Sequence, residues 1–145
     1  TMQPIQERGE RAYFAKYESG TAIGRRLGNT EPGDGYRFRG EGHVQNTGRA
    51  NARKASERLN AAFGYGVDLE AQPELRGDPI ISAHSLILGN REGWWTGKKL
   101  ADYLPGDWAG ARRVVNGTDR AALIAGYGKR FLSALASAST KGASA

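Results

Sequence analysis

Glu18, Glu41, Gln45, Asn46, Thr47 and Asn51, joined further along by Asn116 and Arg120, are the side chains of this sequence whose types could do chemistry together. Two carboxylates among amides and a hydroxyl suit glycoside hydrolysis. One carboxylic acid protonates the leaving oxygen, one carboxylate activates water, and neutral polar groups hold sugar hydroxyls. Other chemistries lack their parts. Cysteine is absent, and two histidines, His43 and His84, are too few for a typical zinc centre unless carboxylates join them. There is no strict phosphate-binding loop and no Ser/His/Asp order, so neither a metal nor a cofactor is implied.

Most of these residues fall in one polar stretch, Asn29 to Asn51. Tyr36 and Phe38 alternate with Arg37 and Arg39 behind the turn Pro32-Gly33-Asp34-Gly35, which predicts a short strand entering a small hairpin. Gly40, Gly42 and Gly48 suit backbone that lies close to another object, a ligand being one candidate. Around the hairpin the pattern is helical. A helix is expected from about Ile5 to Tyr17, leaving Glu18 at its end, and another from Arg49 to Phe63 stopped by Gly64. Asp78-Pro79 predicts the start of a helix apolar nearly all round, hence buried and central, with His84 at the core edge. Trp94-Trp95 should place at least one ring in the core, and Thr96 should cap a short helix from Gly97 to Tyr103. Asp107 caps a helix turning Trp108, Ala111 and Val114 or Val115 inward. The last helix, about Asp119 to Ala138, sets Ile124, Tyr127, Phe131 and Leu135 at core spacing. The expected architecture is one mainly α domain over residues 1–138 with one small β-hairpin, followed by a flexible tail over 139–145.

At 145 residues the chain can bury a real core without disulfides. A net charge of +6 and a pI near 9.8 favour anionic polymers, whether nucleic acid, anionic lipid or an acidic cell-wall glycan. The arginines are scattered through every element, which speaks against a phosphate-tracking stripe. No apolar run reaches the length of a membrane span, and the N-terminus lacks the layout of a secretory signal. Thr1 in place of Met points to a processed chain or a piece of a longer one.

The block RGEGHVQNTGRAN, residues 39–51, resembles the signature of the family 19 chitinases and the related phage endolysins, in which a Gly-Arg-Gly turn leads into an Ile-Gln-Leu-Thr/Ser run and then Asn. GNTEPGDGYRFRG, residues 28–40, is similar to the phage branch of that family. EGWWTGKKLADYL, residues 92–104, and ARRVVNGTDRAALIAGY, residues 111–127, are similar to its C-terminal half. The resemblance implies a lysozyme-like, mainly α fold and inverting hydrolysis of β-1,4 bonds between N-acetylated amino sugars, in chitin or, for phage members, in peptidoglycan. It assigns Glu18 the base that activates water, Thr47 the hydroxyl that helps hold that water, Gln45 and Asn51 contacts to sugar, and Asn116 and Arg120 the Asn-Gly segment and its nearby arginine. Two signature positions depart from the family: Glu41 stands for arginine, and Asn46 for an apolar residue. The family's general acid lies in a His-Glu-Thr segment that would fall ahead of residue 1. Within the chain, Glu41, Glu7 and Glu10 stand as its replacements. The implied partner is peptidoglycan or a chitin-like glycan, with no specific nucleic acid and no membrane insertion. The protein would be made in the cytoplasm and act on the cell wall, released by a holin or carried on the virion if phage-encoded. The alternative is a catalytically impaired glycan-binding or structural protein, which Glu41 and Asn46 favour.

Overall fold

The computed structural model describes residues 2–141, which are mainly helical and carry one two-stranded antiparallel sheet. The chain divides into two compact units between Leu88 and Gly89.

In the first unit β1 (Ile5–Gln6) pairs with β2 (Glu41–Gly42), Ile5 opposite Gly42 and Gln6 opposite Glu41. The helix expected from Ile5 is therefore a strand followed by a short 3-10 helix, Arg11–Tyr17. Pro4 and Gly9 weaken a continuous helix here, and a ladder partner outweighs local pattern. The Glu7 amide extends the ladder to the Gly40 carbonyl at 2.7 Å. After α1 (Ala22–Arg26), the strand expected at Tyr36 to Arg39 is likewise replaced, by one turn of helix, α2 (Asp34–Arg37). The Asp34 carboxylate accepts the Thr30 and Glu31 amides and curls the segment, leaving Phe38 fully buried. The hairpin lies one step later. Glu41 and Asn46 exchange backbone bonds of 3.3 and 2.8 Å around a turn in which Gln45 is left-handed, with φ of 54°.

Helix α3 (Arg49–Phe63) ends where the sequence places it, with Gly64 left-handed and its amide on the Asn60 carbonyl. Ala52, Ala55 and Leu59 are buried along one face and join Phe14, Phe38 and Leu69 in the core. The cap of α3 comes from a distance, since the Asn29 side-chain oxygen accepts the Arg49 amide at 2.9 Å. Helix α4 (Pro79–Glu92) opens on Asp78, whose carboxylate accepts the Ile80 and Ile81 amides. It is not buried all round. Ile81, Ser82, Ser85 and Leu88 are buried, whereas Ile80 and Ile87 are exposed, so its hydrophobic back serves no core.

In the second unit Trp94 is buried and meets Trp95 edge to face at 5.6 Å. Thr96 caps no helix; its hydroxyl donates to the Arg113 and Val114 carbonyls. A 3-10 turn, Leu100–Asp102, forms where a longer helix was expected, and Asp107 caps the 3-10 helix Gly110–Val114 through the Gly110 amide. Helix α5 (Ala121–Lys141) includes residues 139–141, which the sequence reading assigns to the tail; residues 142–145 lie outside the described residues. Its inward side is made of small residues. Ala125 is buried, Ala121 and Gly128 are half-buried, and a side chain at Gly128 would sit 3.0 Å from the Trp108 ring. The large residues expected in the core, Ile124, Tyr127, Phe131 and Leu135, are exposed instead, and the closest approach to Trp108 is made at Gly128. Among the described residues no helix is long and apolar enough to cross a membrane.

Candidate functional site

Glu18 follows the 3-10 helix Arg11–Tyr17 and is half-buried. One carboxylate oxygen accepts the Gly33 amide at 2.8 Å, and its backbone carbonyl accepts both the amide and the hydroxyl of Thr21 at 2.9 Å. Two glycines fix the surroundings. A Cβ on Gly24 would lie 1.9 Å from the Glu18 carbonyl, and one on Gly35 would lie 2.9 Å from the other carboxylate oxygen. The Glu18 carbonyl and one carboxylate oxygen thus lie against backbone that has no room for a side chain.

Glu41 is placed differently. On β2 it is only 8% exposed, accepts the Gln6 amide at 2.8 Å, and lies against Gly77. Its charge opposes, without cancelling, the burial that lowers the neighbouring Arg76 guanidinium to about 10. Arg76 donates to the carbonyls of Pro73, Arg39, Asn46 and Arg37 at 2.7 to 3.3 Å. This buried hub falls in a stretch without periodicity, and no sequence signal marks it.

Gln45, Asn46, Thr47 and Asn51 cluster between the hairpin and the first turn of α3, and they largely hold one another. Gln45 donates to the Ile5 and Gly42 carbonyls, Thr47 to the Gln45 carbonyl, and Asn51 to the Thr47 carbonyl at 2.7 Å. The glycines among them approach protein: a Cβ on Gly42 would meet Ser82 and the Arg76 carbonyl at 2.7 Å, and one on Gly48 would meet Leu27. Asn46 is 4% exposed, and neither atom of its side-chain amide has a hydrogen-bond partner among the described residues. Asn116 and Arg120 belong to the second unit, both exposed at the turn before α5. The Asn116 side chain accepts the Gly117 amide, and Arg120 is left-handed with φ of 53°.

The replacement carboxylates also separate. Glu10 is exposed. Glu7 is half-buried on the wall of an open cavity of about 480 Å³, with Gln6, Arg8, Tyr36 and Arg39 among its neighbours there. Its two oxygens accept the Gly40 amide at 3.0 Å and the Tyr17 hydroxyl at 3.3 Å. Burial, then the Glu7 charge, raise the Tyr17 phenol above its ordinary value. Arg39 stacks 3.9 Å from the Tyr36 ring centroid, giving the cavity a flat cationic wall. The sequence pattern places Tyr36 and Arg39 on a strand and gives them no chemical role.

No family profile, no curated protein and no solved structure matches the chain.

The histidines form separate pairs. His43 bonds the buried Ser82 hydroxyl through its ring at 2.6 Å and its amide at 2.7 Å, and His84 stacks on Phe63 and bonds the Tyr65 hydroxyl. Among the described residues no group of three or more His, Asp or Glu is placed to hold a metal ion.

Proposed function

We propose that this chain is a lysozyme-like module of glycoside hydrolase type, directed at the β-1,4 bonds between N-acetylated amino sugars of peptidoglycan, with Glu18 as the base that activates water. The observation that carries the reading is the seat of Glu18. A half-buried carboxylate pinned through one oxygen to the Gly33 amide, with Gly35 packed against its other oxygen and Gly24 against its backbone carbonyl, has the fixed direction that general-base catalysis needs. The ordered blocks from Gly28 to Tyr127 supply the substrate class. For the acid, Glu7 is the better seated of the three replacements. It stands on a cavity wall, whereas Glu41 is buried against Gln6 and Glu10 has no enclosure. Arg8 and Arg39 add positive charge suited to the carboxylates of the wall polymer.

Release of reducing ends from purified peptidoglycan tests this. Glu18→Gln and Glu7→Gln should each lower the rate by about 10²-fold or more, the ordinary contribution of a general base or acid, with little change in the helical spectrum. Full activity in Glu18→Gln sinks the assignment. A second reading, glycan binding without hydrolysis, draws on the burial of Glu41 and on the local bonding of Gln45, Thr47 and Asn51. It is the one supported if the wild-type chain pellets with purified wall and releases no reducing ends.

A further inference from the structure

In helix α5 the small residues Ala121, Ala125 and Gly128 face the second unit, and Leu123, Tyr127, Phe131 and Leu135, four positions apart, form an exposed apolar stripe that winds around the helix. Leu123 and Tyr127 are 50% exposed, and Phe131 and Leu135 are 64% exposed. From Lys129 to Ser139 every residue is exposed, a stretch of about 16 Å at the usual rise per residue. A shallow groove of about 290 Å³ on this face is lined by Tyr127, Arg130, Phe131 and Ala134. A contiguous apolar face of this length on a surface helix marks something that covers it.

The charge around the stripe decides what. From Arg120 to Lys141 the sequence holds four basic residues and no Asp or Glu. Residues 89–145 as a whole carry nine Lys and Arg against four Asp and Glu, whereas residues 1–88 are nearly balanced at twelve against eleven. Arg130 borders the groove, where its stem can lie along apolar surface while its head reaches outward. Two copies packed through this face would bring like charges at Lys129 and Arg130 together with no acidic residue on the helix to answer them, which opposes self-association. A helix with an exposed stripe of Tyr, Phe and Leu and only basic charged residues has the composition of one that lies in the plane of an anionic bilayer surface.

We propose that α5 is a peripheral membrane-binding element: its Leu123–Tyr127–Phe131–Leu135 face settles into the headgroup region of an anionic lipid bilayer, with Lys129 and Arg130 on the lipid phosphates. The helix lies on the membrane and does not cross it, in keeping with its polarity. This assignment is independent of the hydrolase reading, since none of these residues takes part in that site.

Co-sedimentation of the full chain with vesicles tests it. Binding to phosphatidylglycerol/phosphatidylcholine vesicles should be at least tenfold tighter than to phosphatidylcholine alone, and weaker at high salt. Phe131→Ser with Leu135→Ser should reduce binding to the anionic vesicles by more than tenfold. Arg130→Gln should reduce it by about fivefold, the effect expected of one basic residue near the surface. All three positions are exposed, so the helical spectrum should be unchanged. The proposal is overturned if the anionic vesicles bind no better than neutral ones, or if the double variant binds as well as the wild type. It is also overturned if sedimentation velocity shows a dimer that Phe131→Ser dissolves, which would make the stripe a self-interface.

Discussion

In the first unit four charged side chains, Asp34, Glu41, Arg49 and Arg76, are buried; in the second the large apolar residues of α5 are exposed, and Asp119 of its ion pair with Arg112 faces solvent. Arg49 shows the first arrangement best. It is buried, makes a two-pronged contact with Asp34 at 2.6 and 2.8 Å, reaches Glu70 at 3.0 Å, and lies over the Phe38 ring at 4.9 Å. Glu70 in turn takes two bonds from Arg53. Such a network fixes one arrangement of the chain, because a buried charge that loses its partner has nowhere to go. The second unit has no comparable lock among the contacts of its described residues, and its longest helix rests on a strip of alanine and glycine. The buried charges and the candidate carboxylates lie on one side of Leu88, and the exposed apolar stripe of α5 on the other.

Breaking the lock gives the largest effect. Asp34→Ala leaves Arg49 buried with only its side partners and should cost about 3–5 kcal/mol in urea unfolding. A loss below about 1 kcal/mol would mean that Glu31 and Glu70 take over the guanidinium, and the contrast would lose its basis.

Acid should act on the same lock. Burial alone would raise the Asp34 carboxyl, but hydrogen bonds from Arg49 and from the Glu31 and Thr30 amides outweigh it and hold it below its ordinary 3.8. The Arg53 hydrogen bond, then Arg49 against burial, hold Glu70 down to about 2 from 4.5. Both folded values are depressed, so the stability they supply is complete above the unfolded values and disappears as pH falls from about 4.5 toward 2. All three tryptophans, Trp94, Trp95 and Trp108, lie in the second unit. Circular dichroism should therefore change before tryptophan fluorescence during acid titration. Coincident transitions would show that the units unfold as one.

Asn46→Leu should move stability the other way, by about 1–2 kcal/mol, since it removes a buried amide without partners. A destabilised variant would mean that the larger apolar side chain does not fit between β2 and Arg76. The smallest effect is expected on α5: Phe131→Ser should leave the unfolding free energy within about 0.5 kcal/mol, as at other exposed positions. A drop of 2 kcal/mol or more would place Phe131 in a core.

Elements whose signals are local were legible in the sequence. Gly64 ends α3 and Asp78-Pro79 opens α4 because a left-handed glycine and a capping carboxylate act within a few residues of themselves. The first strand and α2 were misread because their reasons are distant. Gln6 pairs with Glu41 and Asp34 with Arg49, and nothing in a short window announces either. Periodicity identified the apolar stripe of α5 correctly but assigned it the wrong side, since period alone does not say whether a face meets protein or something else. Of the candidate site, the sequence marks Glu18 at the end of a helical turn but gives no sign of the glycines packed against it. Tyr36 and Arg39 were hidden by an alternation that resembled a strand, and Glu41 was expected at a cleft though it is buried against Gln6.

Arg76 ties the carbonyls of Arg37, Arg39 and Asn46 to that of Pro73, a span in which α3 is wholly contained. The guanidinium therefore acts as a clasp on a loop of chain, closing it without any covalent bond. A cut in the Gly64–Gly66 turn would leave two pieces still fastened by Arg76 and by the bonds from Arg49 and Arg53 to Glu70, so the nicked chain should hold together until those side chains let go.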